Sequence, residues 1–136
     1  GQPISSFQRQ WDSNKAEHDW TIIGLRREKA EESKRINSRV KKMIEAGLVD
    51  EVKALLAEEK PLSKQARCAI GYAEIIEYLN GKIELQDAVE LIKKNTRRLA
   101  KNQRTWFKTF QNVHWLDIEP DETTEEILNR AKKFIE

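Results

Sequence analysis

The runs WTIIGLR (residues 20–26) and NVHWLDI (residues 112–118) have the short, apolar, partly β-branched character of strands, while the stretch between them carries helical spacing. Two strands of this length do not make a stable sheet unaided. Either they pair with each other, or they complete a sheet whose remaining strands are absent. The predicted class is mainly α with two short strands.

The spacing predicts helices over about 28–46, 50–59, 63–80, 85–110 and 123–135. In the first, Ala30, Ser33, Ile36, Val40, Met43 and Ile44 recur at intervals that put them on one face, and Gly47 follows as a C-terminal cap. The second carries acids in its first turn, which favour the positive end of the helix dipole, and Pro61 lies beyond its end. Ser63 suits the N-cap of the third, which runs to Asn80-Gly81. Its interior Gly71 costs about 1 kcal/mol against alanine, a loss usually accepted where something approaches the backbone closely. Thr123 or Thr124 opens the last helix, which carries Ile127, Leu128, Ala131, Phe134 and Ile135. Residues 1–19 are polar with spaced aromatics, Phe7 and Trp11; they read as a docking arm in which Pro3, Ser5 and Ser6 could start a short helix.

A chain of 136 residues suits one domain, or part of one. Charged residues at 35% and apolar ones at 38% exclude a disordered or fibrous protein and fit a soluble helical one. Cys68 is the sole cysteine, which excludes an internal disulfide and a cysteine zinc site and makes a reducing cytoplasm the natural compartment. No run approaches the about 18 apolar residues of a membrane span, and GQPISSFQRQW lacks the apolar core of a signal peptide, so neither a membrane nor export is expected.

Lysine and arginine number 25 against 23 acids, a net charge of +2 that identifies no partner. NTRRLAKNQRTWFK (95–108) departs from this balance. On a helix turning roughly 100° per residue, Lys94, Arg97, Arg98, Lys101, Arg104, Thr105 and Lys108 share an arc of roughly 120°, with Lys93 beside it. The opposite side holds Val89, Ile92, Leu99, Ala100, Trp106, Phe107 and Phe110, and reads as a packed face. Gln103 and Thr96 fall in its middle, where an unpaired polar group costs about 1–3 kcal/mol, so both should have partners. A charge run is most simply a solvated face. Here no acid occurs from Leu91 to Leu116, and the helix forgoes the stabilising i,i+4 acid–base pairs it could have had. A polyanion, nucleic acid in particular, fits better, because lysines and arginines on a rigid helix contact phosphates without demanding sequence.

Catalytic signatures are sparse. GxxxxGK[ST], GxGxxG and HExxH do not occur, and Gly81-Lys82 lacks the upstream glycine of a phosphate loop. His18 and His114 have no ligand-like spacing, and Cys68 without a base partner reads as a small apolar residue rather than a nucleophile. The residues themselves describe a helical, polyanion-binding module with no catalytic centre and no metal ligand set.

Four segments carry a resemblance: RINSRVKKMIEAGLVDEV (35–52), ARCAIGYAEIIEYLNGKI (66–83), NTRRLAKNQRTWF (95–107) and VHWLD (113–117). In this order and spacing the chain resembles the C-terminal half of bacterial tRNA dimethylallyltransferases, also called isopentenyl-diphosphate:tRNA transferases, over nearly its whole length. GQPISSFQ looks like the segment that returns from that family's inserted helical domain, so that 1–19 would be the return and 20–136 the C-terminal part of the core. The resemblance implies an α/β fold like that of P-loop-containing nucleoside triphosphate hydrolases, with the phosphate-loop half absent here. It also implies transfer of a dimethylallyl group from its diphosphate to N6 of the adenosine next to the anticodon, with Mg2+, by catalytic groups in the other half. This chain would then be a fragment, inactive alone, whose two strands join the missing sheet.

Carried over by position, the family's tRNA-contacting stretches fall on Cys68, Ala69, Ile70, Gly71, Tyr72 and Ala73, and on Lys101, Asn102, Gln103, Arg104, Thr105, Trp106, Phe107 and Lys108, flanked by the basic face of Lys94, Arg97 and Arg98. Gln103, Thr105 and Trp106 match the family pattern. Ala73 stands where the family usually has Lys or Arg, and Asn102 where it often has Arg, so two charges are missing. Arg39 of INSRV is a possible diphosphate contact. Extrusion of the target base would make a rigid wall of Gly71 and the Trp106 helix useful. The partners implied are a tRNA anticodon stem-loop and, through the missing half, dimethylallyl diphosphate. The alternative is a stand-alone helical RNA-binding or adaptor module without catalytic activity.

Overall fold

The computed structural model describes residues 20–135, and the docking-arm reading of residues 1–19 lies outside them. The chain divides into two compact units, one built from residues flanking 27–111 and the other from 27–111 itself.

In the first unit, β1 (Ile22–Arg26) and β2 (Val113–Asp117) pair with each other in parallel. Parallel neighbours cannot be joined by a tight turn. Residues 27–111 are therefore the crossover connection. The register sets Gly24 opposite Trp115 and Arg26 opposite Asp117. The Arg26 guanidinium grips the Asp117 carboxylate with two bonds, Nε to Oδ1 at 2.5 Å and Nη2 to Oδ2 at 2.8 Å. This grip holds the Asp117 carboxyl below the usual carboxylate range. Both side chains are more than half exposed, so the pair sets register more than it stabilises. Beyond β2, Thr123 caps α6 (Thr124–Lys132) in a reciprocal box with Glu126, as its position before the apolar pattern suggested. The helix ends earlier than the predicted 135.

Gly24 is required by close approach. A Cβ there would lie 2.6 Å from two ring carbons of Trp115 and 2.9 Å from Val113 Cγ1. Gly24→Ala is expected to cost about 1–3 kcal/mol in thermal or denaturant unfolding, as overpacked sites do. The penalty should shrink in a Trp115→Ala background, because the clash is with that ring.

The second unit is helical: α1 (Lys29–Glu45), α2 (Leu48–Ala57), α3 (Lys64–Arg67), α4 (Tyr72–Leu79) and α5 (Leu85–Phe107). Glu28 caps α1 by accepting the Ala30 and Glu31 amides. Ala46 and Gly47 join α1 to α2, which starts two residues before the predicted Asp50. Val40, Leu48, Val52, Ile75, Ala88 and Ile92 form the buried centre, with Ile36, Met43, Ile44 and Leu56 packed around it. These positions recur at helical intervals within α1, α2, α4 and α5, so each helix gives one stripe to a shared core.

The predicted helix over 63–80 is corrected. Ser63 does cap its start, its Oγ accepting the Ala66 amide at 3.1 Å, but the helix stops at Arg67 and restarts at Tyr72. The break comes from Gly71, whose φ of +101° no helix interior accommodates. A Cβ there would meet only Leu48 and Met43 side-chain atoms at 3.9 Å, so within this chain the glycine serves backbone conformation rather than close approach. The predicted 85–110 helix likewise ends at Phe107.

Candidate nucleic-acid interface

α5 runs for 23 residues, and its first half packs as an amphipathic helix should, with Ala88 and Ile92 buried. Thr96, half-buried, satisfies its hydroxyl by donating to the Ile92 carbonyl at 2.7 Å. The expected packed face stops there. Leu99, Trp106 and Phe107 are 47%, 55% and 45% exposed, and Gln103 is exposed too, so the partner expected for its amide is not needed. Trp106 instead makes edge contacts with Phe107 and Phe110, at ring separations of 5.0 and 4.9 Å.

The cationic arc also divides. Arg97 donates from Nη1 to Asn37 Oδ1 of α1 at 2.7 Å, and Arg104 forms an ion pair with Glu32, again on α1. Lys93 is tied to Glu90 at 2.7 Å. The expectation that nothing local neutralises these cations is corrected for Lys93, whose acid lies in the preceding turn, while Arg104 finds its acid on another helix. Lys94, Arg98, Lys101 and Lys108 remain exposed, and among the described residues none of them has an ion pair or side-chain hydrogen bond. Asn102 and Thr105 are exposed beside them, the Thr105 hydroxyl donating to the Lys101 carbonyl at 3.1 Å.

The other carried-over stretch is the turn between α3 and α4. Cys68, Ala69 and Ile70 are exposed, Gly71 is buried, and Tyr72 and Ala73 are half-buried at the start of α4. Cys68, read from the sequence as a small apolar residue rather than a nucleophile, is a free and exposed thiol. The Tyr72 hydroxyl donates to Glu51 of α2; that bond, then burial, then the carboxylate charge push the phenol's pKa up. The turn meets α5 through Glu74, which sequence reasoning passed over although Gly71-x-x-Glu74 has capping-box spacing.

Arg39 lies elsewhere on the unit, lining a cleft of about 750 Å³ with Arg27, Glu32, Arg35, Lys42 and Thr96. Arg35, Arg39 and Lys42 share a face of α1 by spacing, so this cluster of cations could have been found from the sequence; Arg39 alone was singled out. Among the described residues no group of three His, Cys, Asp or Glu side chains is placed to hold a metal ion. No helix of the described residues is long and apolar enough to cross a membrane.

Residues 1–110 match the family model described as IPP transferase. The chain belongs to this family. A tRNA dimethylallyltransferase from Halothermothrix orenii is 44% identical over 118 residues, 87% of this chain and 36% of the relative. One from Acetivibrio thermocellus is 38% identical over 133 residues, 98% of this chain and 42% of the relative. Among solved structures, the full-length tRNA isopentenylpyrophosphate transferase of Bacillus halodurans is similar with a TM-score of 0.79 at 37% identity, covering 90% of this chain and 40% of that one. This IPP transferase family chain therefore spans about two fifths of the length of such relatives. The resemblance carried by the four sequence segments is borne out, and the mainly helical arrangement with two parallel strands is similar to that of the solved transferases.

Proposed function

We propose that this chain is the tRNA-contacting, C-terminal part of an enzyme that moves a dimethylallyl group from dimethylallyl diphosphate to N6 of the adenosine adjacent to the anticodon. The observation that carries this reading is the row Lys94, Arg98, Lys101 and Lys108, exposed and unpaired on α5 in a member of the IPP transferase family. Four cations on a rigid helix at one- and two-turn spacings suit a phosphate backbone. The named relatives are tRNA dimethylallyltransferases, which supplies the substrate class.

In such a transfer the N6 amine forms a bond to the terminal allylic carbon, the carbon–oxygen bond to diphosphate breaks, and N6 loses a proton to a base. The leaving diphosphate is strongly anionic. Arg39, with Arg35, Lys42 and Arg27 in the same cleft, is suited to neutralise it. Mg2+, the base and the phosphate loop of a P-loop-type fold are assigned to sequence outside this chain, and the setting is the cytoplasm. Two further observations support the partial character of the chain: a sheet of two short parallel strands among the described residues, and exposed Leu99, Trp106 and Phe107 on the side of α5 away from the lysines.

The test is a transfer assay with an anticodon stem-loop, dimethylallyl diphosphate and Mg2+. The 136-residue chain is expected to bind the RNA without prenylating it. Fusion to the N-terminal part of the Halothermothrix orenii relative is expected to give transfer. Prenylation by the chain alone would overturn the assignment of chemistry to the other part; a lack of RNA binding would overturn the assignment of tRNA contacts.

A further inference from the structure

We propose that Glu74 is a positioning residue that sets the Cys68–Gly71 turn against α5, so that the two RNA-facing segments act as one surface. This rests on the reading of both segments as tRNA contacts. Glu74 is the buried charged residue of the described structure, 5% exposed. Its two carboxylate oxygens take different partners. Oε2 accepts the Gly71 amide at 2.7 Å, and Oε1 accepts the side-chain amide of Asn95 on α5 at 2.6 Å.

The first bond is the ordinary work of a helix cap, closing the N-terminus of α4 on the residue three positions earlier. The second has no part in capping. It crosses from α4 to α5, reaching Asn95, the neighbour of Lys94 and one turn from Arg98. A buried carboxyl group is costly unless its oxygens are filled, and here each has a donor. An apolar residue at this buried position would avoid that cost but would leave the turn free to shift along α5. With Gly71 held at φ +101° by its own amide bond, exposed Cys68, Ala69 and Ile70 take their place from a side chain anchored beside the lysine row.

Asn95→Ala cuts the bridge and leaves the cap. Glu74→Gln keeps both, because its carbonyl oxygen still accepts from Gly71 and its amide donates to Asn95 once that side chain turns over. Hydrogen exchange at residues 68–71 is expected to speed up on the order of tenfold in Asn95→Ala, the equivalent of one lost bond, and to stay near the parent rate in Glu74→Gln. Affinity for an anticodon stem-loop should fall several-fold in Asn95→Ala and be retained in Glu74→Gln, with exchange in the α1–α2 core unchanged in both. Unchanged exchange at the turn in Asn95→Ala would overturn the proposal and leave Glu74 a cap alone. If the parent chain fails to bind RNA, the functional reading falls, while the exchange measurement still decides whether the bridge holds the turn.

Discussion

Replacing Ile75 by alanine is expected to cost about 2–5 kcal/mol of unfolding free energy, the largest loss from any single side chain discussed. Ile75 is fully buried among Val40, Leu48, Val52, Ala88 and Ile92, contributed by α1, α2 and α5. Removing its outer carbons leaves a void that four helices must each shift to fill, and close-packed interiors relax only partly. Leu99→Ala is the matched control: at 47% exposure it should change stability by about 0.5 kcal/mol or less. Denaturant titration of both variants, with the slope unchanged, checks this. Similar losses at the two positions would mean that the core is not centred on Ile75.

Converting Lys94, Arg98 and Lys101 together to alanine should weaken binding of an anticodon stem-loop on the order of tenfold or more near physiological salt. It should also reduce the slope of log affinity against log salt by about 2, from about 0.7 counterion per phosphate contact on a single strand. Alanine suits these exposed helical positions, so the fold should be retained. Arg97→Ala and Arg104→Ala act differently. They remove the bond to Asn37 and the ion pair to Glu32, so they should loosen α1 against α5 with less effect on the salt slope. Filter binding across a salt series separates the two. An unchanged slope in the triple variant would make the lysine row a solvated surface.

The contrast between these arginines shows where sequence reading ran out. A helical wheel places Arg97 and Arg104 on the cationic arc correctly, but it describes one helix, and their partners are sixty and seventy-two residues away on α1. The same limit applies to Leu99 and Trp106: apolar spacing marks a face suited to burial and does not say what buries it. Local signals did better. Ser63 and Thr123 cap helices because their oxygens reach an amide three residues on, a relation written within four positions. The Cys68–Gly71 break was hidden by apolar spacing that continues through Ala66, Ala69, Ile70 and Ala73. Gly71 and Glu74 together were the clue to a new N-terminus. Of the candidate site, the α5 row and the turn were legible as segments. The bridge between them, made by one buried carboxylate and one amide, was not.

The same turn carries the chain's single sulfhydryl, exposed at Cys68. One maleimide reaction would therefore place a spin label or fluorophore there and nowhere else, without any cysteine being removed first. A paramagnetic tag on that sulfur and a second introduced on the lysine row would turn the spacing between turn and helix into a distance distribution. The width of that distribution, narrow with Asn95 and broad without it, would report the rigidity of the surface directly.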